Sequence, residues 1–253
     1  MQKILLTLFA LFITISTAHA QSMIEEDYYS GEPLASTPWY ETGYNEVSRT
    51  ADMKFITDMR PHHAGALSMV DDYEVSGKGT SARLIALTNG IRHNQTFEIS
   101  MLDMVEAYIK DACFCSGAPV KVADMGLAQN KKFVRLPMPI KQAWLAPADQ
   151  VSAEDVRFAK AMIIHHEGAL VMARDYLNDP NATNGYLQRM CLDILRDQTQ
   201  EIALMHDIIA HYPGDADAIK IDPSMVHGMD GMMHSGRMNT DKKGHGGHHG
   251  MHH

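Results

Sequence analysis

Basic side chains are in short supply in this chain: 22 Lys and Arg stand against 31 Asp and Glu, a formal charge of −9. Nucleic acid and anionic membranes select for basic patches, so neither is an expected partner. Long apolar runs are also missing. Beyond the first 20 residues nothing approaches the 18 consecutive apolar residues of a spanning helix. Strand-like alternation is absent, which argues against a sheet protein. The pattern Glu-x-x-His does not occur, which excludes the ligand pairs of a bundle di-iron oxidase. Cysteine is limited to Cys113, Cys115 and Cys191.

The one substantial apolar run lies at the start. Lys3 precedes residues 4–15, and Ala18-His19-Ala20 follows. A positive start, a short apolar centre and an A-x-A end predict a secretory signal over residues 1–20, cleaved near Ala20. The mature protein is then expected to be periplasmic or secreted, with no membrane insertion after cleavage. In an oxidising compartment two of the three cysteines are expected to pair. The expected bond joins Cys191 to one of the Cys113-Phe114-Cys115 pair. The alternative is a thiolate site for Cu(I) in that C-x-C.

Helical periodicity organises the rest. After a leader over 21–47, the spacing predicts helices over about 48–76 and 81–110, broken at Gly77-Lys78-Gly79. Phe55, Met59, Ala66 and Val70 mark the inward face of the first. So short a break forces an antiparallel hairpin over 48–110. Residues 111–150 carry Pro119, Pro137, Pro139 and Pro147, which preclude a long helix. They read as a crossover with little regular structure, packed on through Phe133, Trp144 and Leu145. Ser152-Ala153-Glu154-Asp155 opens a third helix with a good N-cap and acids in its first turn. It is expected to end near Leu177, before Asn178-Asp179-Pro180. A fourth spans about 185–211 and stops at Pro213-Gly214. The second hairpin therefore occupies 151–213. The expected fold is all-α: a four-helix bundle of two antiparallel hairpins with internal pseudo-twofold symmetry.

The symmetry comes from a repeated phrase. Met59-Arg60-Pro61-His62-His63-Ala64-Gly65-Ala66-Leu67-Ser68-Met69 returns 103 residues later as Met162-Ile163-Ile164-His165-His166-Glu167-Gly168-Ala169-Leu170-Val171-Met172. The same offset relates Gln95-Thr96-Phe97-Glu98-Ile99 to Gln198-Thr199-Gln200-Glu201-Ile202. At about 100° per residue, His62 and His63 lie at roughly −60° and +40° from Met59, flanking it on the inward face. Ala66 leaves space there, and Met69 points nearest to His62. The partner helices bring Glu98, Met101 and Met104 in the first hairpin. In the second they bring Glu201, Met205 and His206.

Thioether and imidazole together select Cu(I), Cu(II) or Ag(I) over hard cations. Glu98 and Glu201 suit orientation of a ligand imidazole better than direct ligation. Pro61, replaced by Ile164 in the second copy, is expected to kink or loosen the turn before His62. Met on an apolar helical face is commonly core filler, and a single buried His is commonly structural. Two matched His-His pairs, each three residues after a Met, favour ligation.

Residues 214–253 form a tail. From Met225 onward it holds six Met, seven His and seven Gly, too little apolar material to bury a core, and is expected to be disordered. His227, Met229, Met232, Met233 and His234 are its first candidate ligands, expected to bind weakly and multiply.

The phrase Met-x-x-His-His-x-Gly-Ala-x-x-Met followed by Gln-x-x-Glu-Ile resembles the DUF305 family, helical proteins with a ferritin-like arrangement. Exported members include a periplasmic copper-binding protein. The resemblance covers roughly 55–108 and 158–211. It implies ligation by Met59, His62, His63 and Met69 and by Met162, His165, His166 and Met172. Met205 follows the second Glu by four residues, whereas Leu102 holds that place in the first copy. The implied role is copper sequestration or carriage in homeostasis and resistance, without catalysis, and a copper exporter or sensor is the protein partner it suggests. The rivals are a structural or partner-docking bundle without tight metal binding, and a ferritin-like metal oxidase. A metalloprotease is rejected: His166-Glu167-Gly168-Ala169-Leu170 nearly spells H-E-x-x-H, but Leu170 replaces the closing His.

Overall fold

Four long helices hold most of the chain described by the computed structural model, which covers residues 36–114, 117–126 and 150–229. They are α1 (Glu46–Ser76), α2 (Ala82–Ile109), α3 (Ala153–Asn178) and α4 (Gly185–Ala210). Local chemistry sets their ends. The Asn45 side chain accepts from the Val47 and Ser48 amides, and Gly77 closes α1 at φ 61°, a left-handed position that glycine adopts without Cβ strain. Ser81 caps α2. Ser152 and Asp155 form a capping box on α3, and Asn184 caps α4. α1 runs as a single helix through Pro61, so the expected loosening does not interrupt it. Among the described residues no helix is long and apolar enough to cross a membrane. The signal and leader calls over 1–20 and 21–35, residues 127–149 with Phe133, Trp144 and Leu145, and the tail ligands Met232, Met233 and His234 lie outside the described residues.

The hairpins α1–α2 and α3–α4 meet mainly through α1 and α3, with α2 against α4. Two apolar clusters fill the bundle. One takes Phe55 and Met59 from α1, Phe97–Ile109 positions from α2, Ala169–Tyr176 positions from α3 and Leu187–Ile194 positions from α4. The other takes Ala66–Tyr73 from α1, Leu84–Ile91 from α2, Val156–Ile163 from α3 and Leu204–Ile208 from α4. The order along each helix shows α1 antiparallel to α3. Between the clusters on every helix lies a buried polar band: His62 and His63, Asn94, Gln95 and Glu98, His165 and His166, Asp197, Gln198 and Glu201.

Two features depart from the sequence expectation. Strands β1 (Ser36–Glu41) and β2 (Val120–Gly126) pair antiparallel, so the leader and crossover meet in a small ribbon. Val120 and Val122 are buried in the first cluster, a short alternation whose partner strand is remote in sequence. A two-stranded ribbon is marginal alone. This one is held by Tyr108, whose hydroxyl donates to Asp124, and by Glu41, which accepts from the Gly185 amide at 2.7 Å. The second departure is the tail. Residues 214–229, including the first five of the stretch expected to be disordered, return to the bundle through two short 3-10 turns, Ala216–Ala218 and Pro223–Met225, while residues 230–253 lie outside the described residues. Lys160 donates to the Ala216 and Ile219 carbonyls at 2.6 and 3.0 Å, and Met229 is buried in the first cluster.

Candidate metal site

The repeat lays its histidines at the crossing of α1 and α3. All four imidazoles are fully buried. His62 and His165, equivalent residues of the two copies, stack with centroids 3.7 Å apart and planes 36° apart. His63 and His166 lie outside this pair, each 6.1–6.2 Å from its chain neighbour. His63 Nε2 stands 2.8 Å from Glu98 Oε2, and His166 Nε2 stands 2.5 Å from Glu201 Oε2. Each Glu reaches its His across its own hairpin.

For His165 and His166 the partners fix which nitrogen holds a lone pair. A carbonyl only accepts, so the 2.9 Å contact from His165 Nε2 to the His62 carbonyl places the proton on Nε2. Nδ1 then carries the lone pair. The Glu201 carboxylate likewise only accepts, so His166 Nε2 carries the proton that it takes. Nδ1 of all four rings is buried with no hydrogen-bond partner among the described residues. An unmet buried polar atom costs about 1–3 kcal/mol, so a band of them is expensive unless it serves a ligand. Burial, followed by repulsion from His63 and His166, holds His62 well below the ordinary imidazole range. Burial, followed by His62, His166 and His63, does the same for His165. Both rings are therefore neutral and keep a lone pair well into acid.

Thioethers bracket the band on both sides. Met59, Met101 and Met172 belong to the first cluster, and Met104 packs against it half-buried. Met69, Met162 and Met205 belong to the second. Each end thus joins the leading Met of one copy to the trailing Met of the other. Leu102, the counterpart of Met205, is buried in the first cluster beside Met101. No three His, Cys, Asp or Glu side chains among the described residues are grouped to hold an ion. His206 is exposed and takes no part: one residue past Met205, it points about 100° away from the interior. In the tail, His227 is half-buried on the surface of α1 and Met229 is buried.

The cysteine expectation fails. Cys191 is a free, buried thiol, while Cys113 is disulfide-bonded. Cys191 lies on the inward stripe of α4 between Leu187 and Ile194, buried in the first apolar cluster. Cys115 lies outside the described residues.

A clasp that sequence reading missed holds the two copies together. Tyr176 of α3 donates to Asp52 of α1 at 2.6 Å, and Tyr73 of α1 donates to Asp155 of α3 at 2.5 Å. Phe55 packs on Tyr176 at 4.7 Å and Phe158 on Tyr73 at 4.5 Å, centroid to centroid. All three pairs obey the 103-residue offset: 52 and 155, 55 and 158, 73 and 176. Extending the repeat outward from the His-His phrase is the signal that finds them.

A family model described as "Domain of unknown function (DUF305)" matches residues 52–209 and again 155–247. The two matches begin at Asp52 and Asp155, the paired acids of the clasp. No curated protein and no solved structure matches the chain. The first match alone covers more than half of the 253 residues, and the chain belongs to the DUF305 family.

Proposed function

We propose that this protein binds soft metal ions, copper above all, at the buried His–Met band, and that it sequesters or carries them rather than catalysing a reaction. The observation that carries the reading is the set of buried Nδ1 atoms without partners, bracketed by Met59 and Met162, both fully buried. Neutral imidazole with thioether is a soft donor set that disfavours Mg²⁺ and Ca²⁺. Glu201 bonds His166 at Nε2 and Glu98 lies 2.8 Å from His63 Nε2, the arrangement that orients an imidazole and raises its basicity as a ligand. The ions are cargo: Cu(I), Cu(II) or Ag(I). On this reading the protein works outside the cytoplasm, on the strength of the signal read over residues 1–20, and has a copper exporter or sensor as partner.

The test is competition between the full chain and a chromophoric Cu(I) chelator. Replacing His62 and His165 together with Gln should weaken the tightest site by more than about 100-fold, beyond what loss of an orienting group alone costs. The helical circular dichroism should persist. Unchanged affinity with an intact fold would make the band structural.

A further inference from the structure

A cavity of about 240 Å³ opens beside the Tyr73 clasp, and the C-terminal segment supplies part of its wall. Three soft donors line it: Met69 from α1, and Met225 and His227 from that segment. Asp72 lines it too, its Oδ2 3.7 Å from His227 Nε2.

Hydrogen bonding fixes the His227 tautomer. The Ser68 hydroxyl has one proton and donates it to the Gly65 carbonyl at 2.9 Å. The 2.6 Å contact between Ser68 Oγ and His227 Nδ1 therefore needs Nδ1–H as donor. With the single N–H of the imidazole on Nδ1, Nε2 is the nitrogen that can face a cation, on the side of Asp72. Two ligand atoms each about 2 Å from one ion come to a comparable separation.

Backbone contact fixes the position. A Cβ on Gly65 would lie 2.6 Å from the His227 carbonyl oxygen, and a Cβ on Gly228 would lie 2.7 Å from that of Pro61. Gly228 also sits at φ +70°, where side chains are disfavoured. The segment is thus seated on α1 through two glycines, and His227 is presented without further ordering of the chain. The pseudo-equivalent cavity at the other end, about 130 Å³, has Met172 and Tyr176 in place of Met69 and Tyr73. Its remaining lining includes Lys54 and Asp58 and brings neither His nor a second Met.

We propose that Met69, which also borders the His band, forms with Met225, His227 and Asp72 a second soft-metal site, reachable from solvent, that takes Cu(I) or Ag(I). The choice of ion rests on the soft-metal reading of the band. The full chain, labelled with ¹³C at its Met methyls, is titrated with Ag(I). The Met69 and Met225 signals should move with one common saturation point. His227→Ala should raise the Ag(I) concentration needed by at least tenfold, and Met225→Leu should do so for Met69. The Met59 response should stay as it is in both variants. A Met225 signal that does not move, or that moves equally in His227→Ala, overturns the proposal. If Met59 and Met162 stay still while Met69 and Met225 move, the band reading falls and this site stands.

Discussion

Tyr73 and Asp155, on opposite helices of the pseudo-symmetric pair, share a 2.5 Å hydrogen bond at the point where the first hairpin's turn meets the start of the second hairpin. Asp155 also accepts from the Thr80 and Ser81 amides and from Ser152. One buried carboxylate thus ties the α1–α2 turn to the α3 N-terminus. Its counterpart Asp52 accepts from Tyr44, Tyr176 and Asn184.

Asp155→Asn is expected to cost about 1–3 kcal/mol at pH 7, since it turns an acceptor into a donor facing buried donors. Burial pushes the Asp155 carboxyl up, but the Tyr73, Ser152 and Thr80 donors outweigh it and hold it below the ordinary carboxylate range. A depressed acid stabilises the fold above the unfolded value of about 3.9 and loses that contribution as pH falls through the folded value. The deficit of the variant should therefore be full at pH 7 and shrink below about pH 4. Urea unfolding at the two pH values measures it; a deficit that does not change with pH counts against the assignment.

Tyr73→Phe and Tyr176→Phe remove one donor each at opposite ends of the bundle. Each is expected to cost about 1 kcal/mol, and the double variant should equal their sum within about 0.5 kcal/mol, because the sites share no partner. Strong non-additivity in thermal or chemical unfolding would show that the two clasps communicate through the His band.

Glu98→Gln and Glu201→Gln preserve size and leave the imidazoles in place. Each should weaken Cu(I) binding about 10–100-fold by loosening ring orientation, with little change in helix content. Chelator competition measures it, and affinity equal to wild type in both variants would remove the carboxylates from the site.

Gly65→Ala tests the seating of residues 225–229. Alanine suits a helix better than glycine by about 1 kcal/mol, but its Cβ would overlap the His227 and Gly228 backbone. The segment should lift while α1 persists. Amide exchange at 226–229 should accelerate strongly, with the α1 amides protected as before; protection at 226–229 that survives the substitution sinks this reading.

Cys191 should resist alkylation in the native protein and react on unfolding. Burial, and then the nearby Glu98 and Asp52 charges, push its thiol far above the ordinary range, and a protonated, enclosed thiol is inert. Mass spectrometry after iodoacetamide treatment with and without denaturant checks this.

The helices were legible because their ends carry local signals: Ser152 with Asp155, Gly77 after Ser76, Ser81 before Ala82. The pairing of His with Glu was legible too, since both phrases keep one offset. What escaped depends on approach between distant segments. β1 pairs with β2 across the whole first hairpin, and no local pattern announces such a pairing. Seating of Gly228 on Pro61 is a backbone contact that composition hides, so a Gly-rich stretch read as too polar to order. Cys191 was assigned a partner by compartment and count, whereas its place on the α4 stripe decides its fate. His206 was grouped with Met205 by adjacency, although neighbours on a helix face different ways.

The crossed clasps have an evolutionary corollary. A chain with one copy of the repeat would carry a Tyr and an Asp that cannot reach each other, since each bond runs between copies. It would have to find its complement on an identical chain, by isologous twofold pairing. The present molecule is, in that sense, a dimer written into one polypeptide. Fusion releases the halves from identity: Pro61 corresponds to Ile164, Ala64 to Glu167 and Leu102 to Met205. A homodimer must change both ends at once, whereas this chain can tune one and keep the other.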